Sequence, residues 1–292
     1  MIQQLVLNGI IAGGIYSLIA LGFAIIYRTT KFFNFAHGAI YALGAYLAYS
    51  LIRYLGLNNS ISFLIVIIIC ALIAICIDRL VYSRLRKKHS PNFAFLLASF
   101  GVFIIIQNLV QLVFGAQILT LRTGPIREGY HFLGAVITSN QITIIFFSLL
   151  LFILSWILIQ KTKFGKAIRS VSDDSVAASL VGIKSEKIIA LSVALGSALA
   201  GAAGILISIE TNIEPTMGFN AILKGIIASI IGGMGSIPGA LLGGFFLGLA
   251  ENLGIWQIQA GWKDAIAFVI LILFLLLRPS GIMGVKTEKE KL

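Results

Sequence analysis

Residues 5–26 read LVLNGIIAGGIYSLIALGFAII, a run without a single charged residue. A helix needs about 20 mostly apolar residues to cross the hydrocarbon core of a bilayer, so this run predicts a membrane-spanning helix. The four residues before it, MIQQ, carry no positive charge, and the run is longer than the apolar segment of a signal peptide. We therefore interpret residues 5–26 as a retained span.

The rest of the 292-residue chain has the same character. Hydrophobic residues make up 59% of it and charged residues only 11%, and the mean hydropathy is +1.01. Soluble domains are nearer one quarter charged, so the composition excludes an ordinary soluble enzyme. The predicted fold class is all-α, a polytopic integral membrane protein.

Further apolar runs predict the other spans. Residues 219–256 form a glycine-rich apolar stretch that is long enough for two short spans or two half-helices of a broken helix. We therefore expect eight or nine transmembrane helices in a single membrane domain, residues 1–292. The clear candidates are Leu5–Ile26, Phe35–Tyr54, Phe63–Tyr82, Phe93–Phe114, Ile142–Gln160, Ile188–Ile209 and Ala265–Leu277, the last extended back through Trp262.

The positive charges predict the orientation of the chain. If the N-terminus lies outside, 17 of the 22 Lys and Arg residues fall in cytoplasmic segments, and the outer side keeps Arg53, Arg122, Arg127, Lys224 and Lys263. Cytoplasmic loops are enriched in Lys and Arg, so we predict an outer N-terminus and a cytoplasmic C-terminus. This orientation requires an odd number of crossings, which nine satisfies directly. The net charge of +11 then reflects topology, and we expect lipid and no nucleic acid as a partner.

No motif of soluble catalysis is present in the sequence. Gly165-Lys166 is followed by Ala167, which does not complete a phosphate-binding loop, and neither G-x-S-x-G nor H-E-x-x-H occurs. We expect no enzymatic activity, cofactor or metal in this chain, so the energy for active transport must come from another chain or an ion gradient. Cys70 and Cys76 lie within an apolar run and are expected to be buried, inert thiols.

Small and ionisable residues within the spans suggest where helices meet. Small residues four apart, such as Gly9 and Gly13 or Gly244 and Gly248, favour close helix packing, within the chain or at a subunit interface. Glu251 is costly at membrane depth, so it faces either a transport path or a polar contact between helices. Lys224, near the outer end of its run, is expected to extend its ammonium to the surface.

The inner segment 161–187 has the pattern of a short helix. Phe164, Ile168 and Val171 follow helical spacing, and Asp173 and Asp174 supply N-cap chemistry for a second helical stretch. Gly182 suits the position just after its end, so we predict a short helix over 174–182 across the cytoplasmic face. The pattern alone leaves two interpretations open, a packed interfacial loop and a coupling helix that inserts into a partner.

Four motifs, taken in order over nearly the whole chain, identify a family. They are GGIYSLIALG (residues 13–22), NFAHG (34–38) followed by GAY (44–46), FGKAIR to LVGI (164–183), and IGGMGSIPGA (231–240). Together they resemble the permeases of branched-chain amino acid ABC importers, the LivH-type family.

This resemblance implies a permease subunit of an ATP-driven, binding-protein-dependent importer of Leu, Ile and Val in the bacterial cytoplasmic (inner) membrane. The implied partners are a second related permease, two cytoplasmic ATPase subunits that hold ATP and Mg, and a periplasmic or lipid-anchored substrate-binding protein. The alternatives are a permease for urea, short amides or another small solute, and a stand-alone transporter driven by an ion gradient.

The resemblance and the residue patterns nominate two groups of site residues. Asn34 is expected to cap a helix and His37 to make a structural hydrogen bond, with gating or substrate binding as the alternative role of His37. The late glycine motif is either a tight reversal or a set of amides that meets a substrate carboxylate. The ATPase-coupling group is Gly165, Ala167, Arg169, Asp173, Asp174, Ala177, Ala178 and Gly182. The group assigned to the translocation path or to structural motifs is Tyr16, Asn34, His37, Gly38, Gly232, Gly233, Gly235, Ser236 and Glu251.

Overall fold

The computed structural model describes residues 1–121, 129–132 and 134–284, which are almost entirely helical. A π-helical turn (Asp78–Tyr82) joins α3 to α4, and a 3-10 turn (Ala260–Trp262) precedes α12. An antiparallel hairpin of β1 (Tyr130–Phe132) and β2 (Ala135–Ile137) lies between α5 and α6 in the chain. The helices are α1 (Ile2–Thr30), α2 (Ala36–Arg53), α3 (Asn59–Ile77), α4 (Ser83–Lys87), α5 (Asn92–Phe114), α6 (Ser139–Lys161), α7 (Lys163–Asp173), α8 (Ser175–Leu180), α9 (Ser185–Glu210), α10 (Met217–Gly232), α11 (Ile237–Gly254) and α12 (Lys263–Leu277).

Within the described residues, seven helices are long and apolar enough to cross a membrane. They are α1, the continuous helix from α3 to α4, α5, α6, α9, α11, and α12 with the turn before it. The all-α, polytopic prediction is therefore confirmed. The glycine-rich region 219–256 contains nearly all of α10, a shorter apolar helix, and all of α11, so it holds two helices, which fits either two short spans or two half-helices.

Helix α2 coincides with the expected span Phe35–Tyr54 but is not one of the seven. It carries His37, Tyr41 and Tyr46, which lower its hydropathy, and these side chains are only 0%, 4% and 0% exposed. Because α2 is surrounded by protein, its surface does not have to match lipid. A hydropathy threshold alone therefore does not recognise α2 as a candidate membrane span.

The described chain divides into two compact units, and three helices (α1, α6 and α10) are split between them. The first unit contains residues 1–24, 129–132, 134–152 and 223–284, and the second contains residues 25–121 and 153–222. The single membrane domain of residues 1–292 stays a prediction.

Arg122, Arg127 and the charged tail from residue 285, which entered the charge count, lie outside the described residues.

In the second unit, α2 packs against α3, α5 and α9. Glycines bring α2 and α9 close: a Cβ added to Gly44 would lie 2.7 Å from the Cα of Gly201, and one added to Gly204 would collide with the carbonyl oxygen of Tyr41. Such short separations between backbones increase the van der Waals contact between helices that have no hydrophobic driving force in lipid.

In the first unit, α1 packs against α11 through the same kind of contact. A Cβ on Gly9 would lie 2.9 Å from the Cα of Leu249, and one on Gly13 would lie 2.8 Å from the Cα of Phe245. On α11, a Cβ added to Gly248 would lie 2.5 Å from the backbone nitrogen of Gly13 and from the carbonyl oxygen of Gly9. The small-residue spacing therefore marks packing within the chain, as one of the two interpretations predicted.

The two cysteines differ from the expectation in one respect. Cys70 is buried against Gly201 in the core of the second unit, and Cys76 is exposed. Residues six apart do not share a helix face, so the same helix turns one thiol inward and the other outward. The prediction of burial is correct for Cys70 and wrong for Cys76.

Candidate functional site

The first half of the inner segment is an amphipathic helix fixed to the end of α6. The side chain of Thr162 caps α7 by accepting a hydrogen bond from the N–H of Gly165 (3.2 Å), and Ile168 is buried. Gly165 lies against the carbonyl of Ile159, where any Cβ would collide, and the guanidinium of Arg169 donates to that same carbonyl. Gly165 and Arg169 therefore set the direction in which α7 leaves α6.

The second half is the short helix that the pattern predicted. The carboxylate of Asp174 accepts hydrogen bonds from the N–H groups of Val176 (2.8 Å) and Ala177 (3.0 Å), so it caps α8. Gly182 follows the C-cap with φ of +87°, in the left-handed region that glycine adopts without strain. The hydroxyl of Ser185 donates to the carbonyl of Ser175 (2.9 Å) and ties α8 to the start of α9. The helix predicted over 174–182 is present over Ser175–Leu180.

The two alanines of the predicted coupling group, Ala177 and Ala178, do not both lie on the outer surface of α8. Ala178 is 2% exposed and packs into the core of the second unit, whereas Ala177, Asp173 and Asp174 are exposed. The exposed apolar side chains are instead Val176, Leu180 and Val181, with exposures of 67%, 83% and 76%. We call these three side chains the α8 apolar patch.

A charge network beside this segment was missed by the sequence analysis. Arg86 makes ion pairs with Asp78 (2.9 Å) and with Glu186 near the start of α9 (2.8 Å). The side chain of Asp78 is 1% exposed and that of Glu186 is 53% exposed. The available signal was an acid and an arginine eight residues apart, about two helical turns. Arg86 therefore connects the π-helical turn to the helix that follows α8.

The NFAHG motif lies in the second unit and makes structural contacts. The side-chain oxygen of Asn34 accepts from the N–H of Ala36 (3.1 Å) and from the hydroxyl of Tyr82 (2.9 Å). The N-cap position of α2 is held by Phe35, one residue after Asn34. Asn34 nevertheless accepts the hydrogen bond of the first N–H group of α2, that of Ala36. His37 is fully buried, and Gly38 lies against the carbonyl of Gly218.

The late glycine motif forms a tight reversal between α10 and α11. Gly233 and Gly235 have φ of +105° and +79°, and the hydroxyl of Ser236 caps α11 by accepting from the N–H of Gly239 (3.2 Å). Gly232 approaches the carbonyl of Gly239 so closely that a Cβ would collide. The N–H groups of Gly233, Ser236 and Gly239 all bond within the motif or to the end of α10, which favours the tight reversal over a carboxylate-binding loop.

Residues 281–284 complete this reversal. The N–H of Ile282 donates to the carbonyl of Ile231 (2.8 Å), and that of Met283 donates to the carbonyl of Gly232 (2.9 Å). The last carbonyls of a helix have no partner within the helix, so these two bonds satisfy the end of α10.

In the first unit, the structure brings together two of the proposed path residues, Tyr16 and Glu251, and adds two others, Lys224 and Asp264. The hydroxyl of Tyr16 donates to one carboxylate oxygen of Glu251 (3.0 Å), and the ammonium of Lys224 pairs with the other. Glu251 is fully buried and Lys224 is only 8% exposed, so the expectation that Lys224 reaches the surface is wrong. The same ammonium pairs with Asp264 (2.8 Å), whose side chain is 66% exposed. We call Tyr16, Lys224, Glu251 and Asp264 the Lys224 cluster.

Comparison with known proteins agrees with the resemblance seen in the motifs. Residues 5–275 match the family described as branched-chain amino acid transport system, permease component. The high-affinity branched-chain amino acid transport permease LivH of Salmonella typhimurium is 35% identical over 99% of this chain and 97% of its own length. BraD of Pseudomonas aeruginosa is 37% identical, and LivH of Escherichia coli is 34% identical, over the same shares. A shorter similarity, 31% over 43% of this chain and 39% of the relative, is to the autoinducer 2 import permease LsrC of Salmonella paratyphi B. No solved structure matches the chain.

Fold and relatives together define the class: this chain is a multi-pass membrane protein and a transport permease. It belongs to the family of LivH-type permease components of branched-chain amino acid transport systems, as its four motifs predicted.

Proposed function

We propose that the chain is the membrane-spanning permease subunit of an ATP-driven, binding-protein-dependent importer of branched-chain amino acids in the inner membrane of a bacterium. Full-length similarity to relatives named for this transport supports the substrate class. The chain crosses the membrane nine times, through α1, α2, the α3–α4 helix, α5, α6, α9, α10, α11 and α12. Nine crossings agree with the orientation that puts most Lys and Arg in the cytoplasm, with an outer N-terminus.

The other subunits supply what the sequence of this chain lacks. Two ATPase subunits bind and hydrolyse ATP with Mg, a second related permease pairs with this one, and a periplasmic or lipid-anchored binding protein delivers the substrate. The α8 apolar patch is the observation that carries this assignment. Val176, Leu180 and Val181 present apolar surface on a capped helix of the predicted cytoplasmic face, where the hydrophobic effect favours covering it with a partner.

The coupling role follows from how α8 is attached. Asp174 and Gly182 define its two ends, and Ser185 joins it to α9, so a force on α8 reaches a membrane helix directly. Closure of the ATPase subunits then moves α8 and shifts the helices between outward-open and inward-open states. Arg169 and Gly165 hold α7, the helix that precedes α8, against the end of α6.

The experiment is reconstitution of this chain in proteoliposomes with its second permease, its ATPase subunits and its binding protein. Leu180→Asp places a charge in the α8 apolar patch without touching the core, since this side chain is 83% exposed. We expect co-purification of the ATPase subunits and uptake of labelled leucine to fall about tenfold or more, the loss expected when one central apolar anchor is removed.

Met283→Asp is the matched control, because Met283 is also an exposed apolar side chain (48%) on the predicted cytoplasmic side. It should leave both measurements unchanged. Normal uptake with Leu180→Asp would refute the coupling assignment. Leucine uptake by the chain alone would favour an ion-gradient transporter, and uptake of urea, a short amide or another solute in place of leucine would refute the substrate class.

A further inference from the structure

The Lys224 cluster joins four helices of the first unit at one buried position. Lys224 belongs to α10, Glu251 to α11, Tyr16 to α1, and Asp264 to the first turn of α12. Both carboxylate oxygens of Glu251 are occupied, one by the ammonium of Lys224 and the other by the hydroxyl of Tyr16 (3.0 Å). The ring of Tyr16 also lies 5.9 Å from that ammonium, a distance at which a cation is attracted to an aromatic face.

Stability does not explain a charged pair at this depth. Removing two charges from water costs about as much as their attraction returns, and apolar residues of similar size often replace such a pair without loss. Charged side chains within membrane spans are rare and usually belong to the transport pathway. The pair therefore calls for a function beyond holding α10 to α11.

The arrangement of charges indicates what the cluster binds. The ammonium of Lys224 is shared between two carboxylates, those of Glu251 and Asp264, so positive and negative groups lie side by side. Lys263 adds a second ammonium next to the cluster, which donates to the side-chain oxygen of Asn252 (3.1 Å). A ligand with one ammonium and one carboxylate next to each other would find a partner for each.

We propose that the Lys224 cluster is the subsite for the zwitterionic head group of the transported amino acid. When the helices open, the substrate carboxylate pairs with Lys224, and the substrate ammonium pairs with Glu251 and Asp264. Asp264 is 66% exposed and thus meets the ammonium first, and Glu251 receives it at the buried end. Between substrates, Lys224 and Glu251 neutralise each other. This assignment depends on the proposed function, because it presupposes an amino acid as the substrate.

The test uses the complete importer in proteoliposomes, with uptake of labelled leucine and ATP hydrolysis measured in parallel. Lys224→Met with Glu251→Met removes both charges together, so no unpaired ion stays buried. Glu251→Gln is a milder variant that keeps the shape of the side chain. We expect about a tenfold or greater loss of uptake in both, while ATP hydrolysis stimulated by the loaded binding protein persists. Lys263→Met, which removes a neighbouring lysine outside the cluster, should keep uptake within about twofold of the unchanged protein.

Each outcome decides between the subsite and its rivals. Normal uptake in the double methionine variant would mean that the pair is only structural and would refute the subsite. If that variant fails to assemble, Glu251→Gln decides in the same way. A rise in ATP hydrolysis without binding protein would identify a gate and would also refute the subsite. If the unchanged importer takes up no amino acid, the proposed function fails on its own evidence, before any variant is compared.

Discussion

Replacing Arg86 with methionine should destabilise the permease far more than replacing its exposed partner. Arg86→Met leaves the carboxylate of Asp78, which is 1% exposed, without its ion pair. Breaking a buried pair from one side costs about 3–5 kcal/mol, and the 16% exposure of Arg86 places this case near the lower end, at about 3 kcal/mol. Glu186→Gln removes a carboxylate that is 53% exposed, and such surface pairs are worth about 1 kcal/mol or less.

The assay is thermal unfolding of the purified permease in detergent, with a thiol-reactive fluorophore that reports exposure of the buried Cys70. Cys76 is exposed, so Cys76→Ser is the background for every variant. Domains of about 150–250 residues shift their Tm by about 2–4 °C per kcal/mol, and on that scale we expect a fall of about 6–12 °C for Arg86→Met and about 4 °C or less for Glu186→Gln.

A second substitution separates lost charge pairing from lost packing. Asp78→Asn neutralises the stranded carboxylate, so the double variant with Arg86→Met should recover more than half of the lost Tm. Equal shifts for Arg86→Met and Glu186→Gln would refute this account of the network. The absence of any rescue by Asp78→Asn would refute it as well.

Three further predictions concern individual contacts. Gly204→Ala forces a Cβ against the carbonyl of Tyr41 and should cost about 1–3 kcal/mol in the same thermal assay, while Gly101→Ala, which has open space, should be neutral or slightly stabilising. Equal effects of the two alanines would contradict the close packing of α2 and α9. Asp174→Ala removes the cap of α8 at a cost of about 1 kcal/mol, visible as faster amide hydrogen exchange in α8 with unchanged exchange in α2. Tyr82→Phe removes one buried hydrogen bond and should lower stability by about 1 kcal/mol, and an unchanged Tm would show that the bond contributes nothing.

What the sequence predicted correctly is local. The spans follow from runs of apolar residues, and both ends of α8 follow from side chains that act within three or four positions, Asp174 at its start and Gly182 after its end. The small-residue pairs of α1 and α11 also predicted packing, because glycine spacing on one helix face depends only on helical geometry. Partner identity was not predictable from that spacing.

The features that the sequence did not predict depend on which helices become neighbours. Lys224 and Glu251 are 27 positions apart, and only the packing of α10 beside α11 turns two isolated charges into a pair. Ala178 was placed in the coupling group although it is buried, because a six-residue helix has too few positions to reveal which face is buried. The low hydropathy of α2 is tolerated for the same reason, because a helix enclosed by protein accommodates Tyr46 and His37 where one facing lipid would not.

The contact between residues 281–284 and the end of α10 has a consequence for biosynthesis. Roughly fifty residues separate Gly232 from Met283. Ribosomes add about 5–20 residues per second, so several seconds pass between the synthesis of these two residues. During that interval the carbonyls of Ile231 and Gly232 have not yet met the amides that bond them in the finished protein. The α10–α11 reversal thus lacks two of its closing hydrogen bonds until residues 282 and 283 have been synthesised, and a chain truncated before residue 282 should be less stable than the full chain.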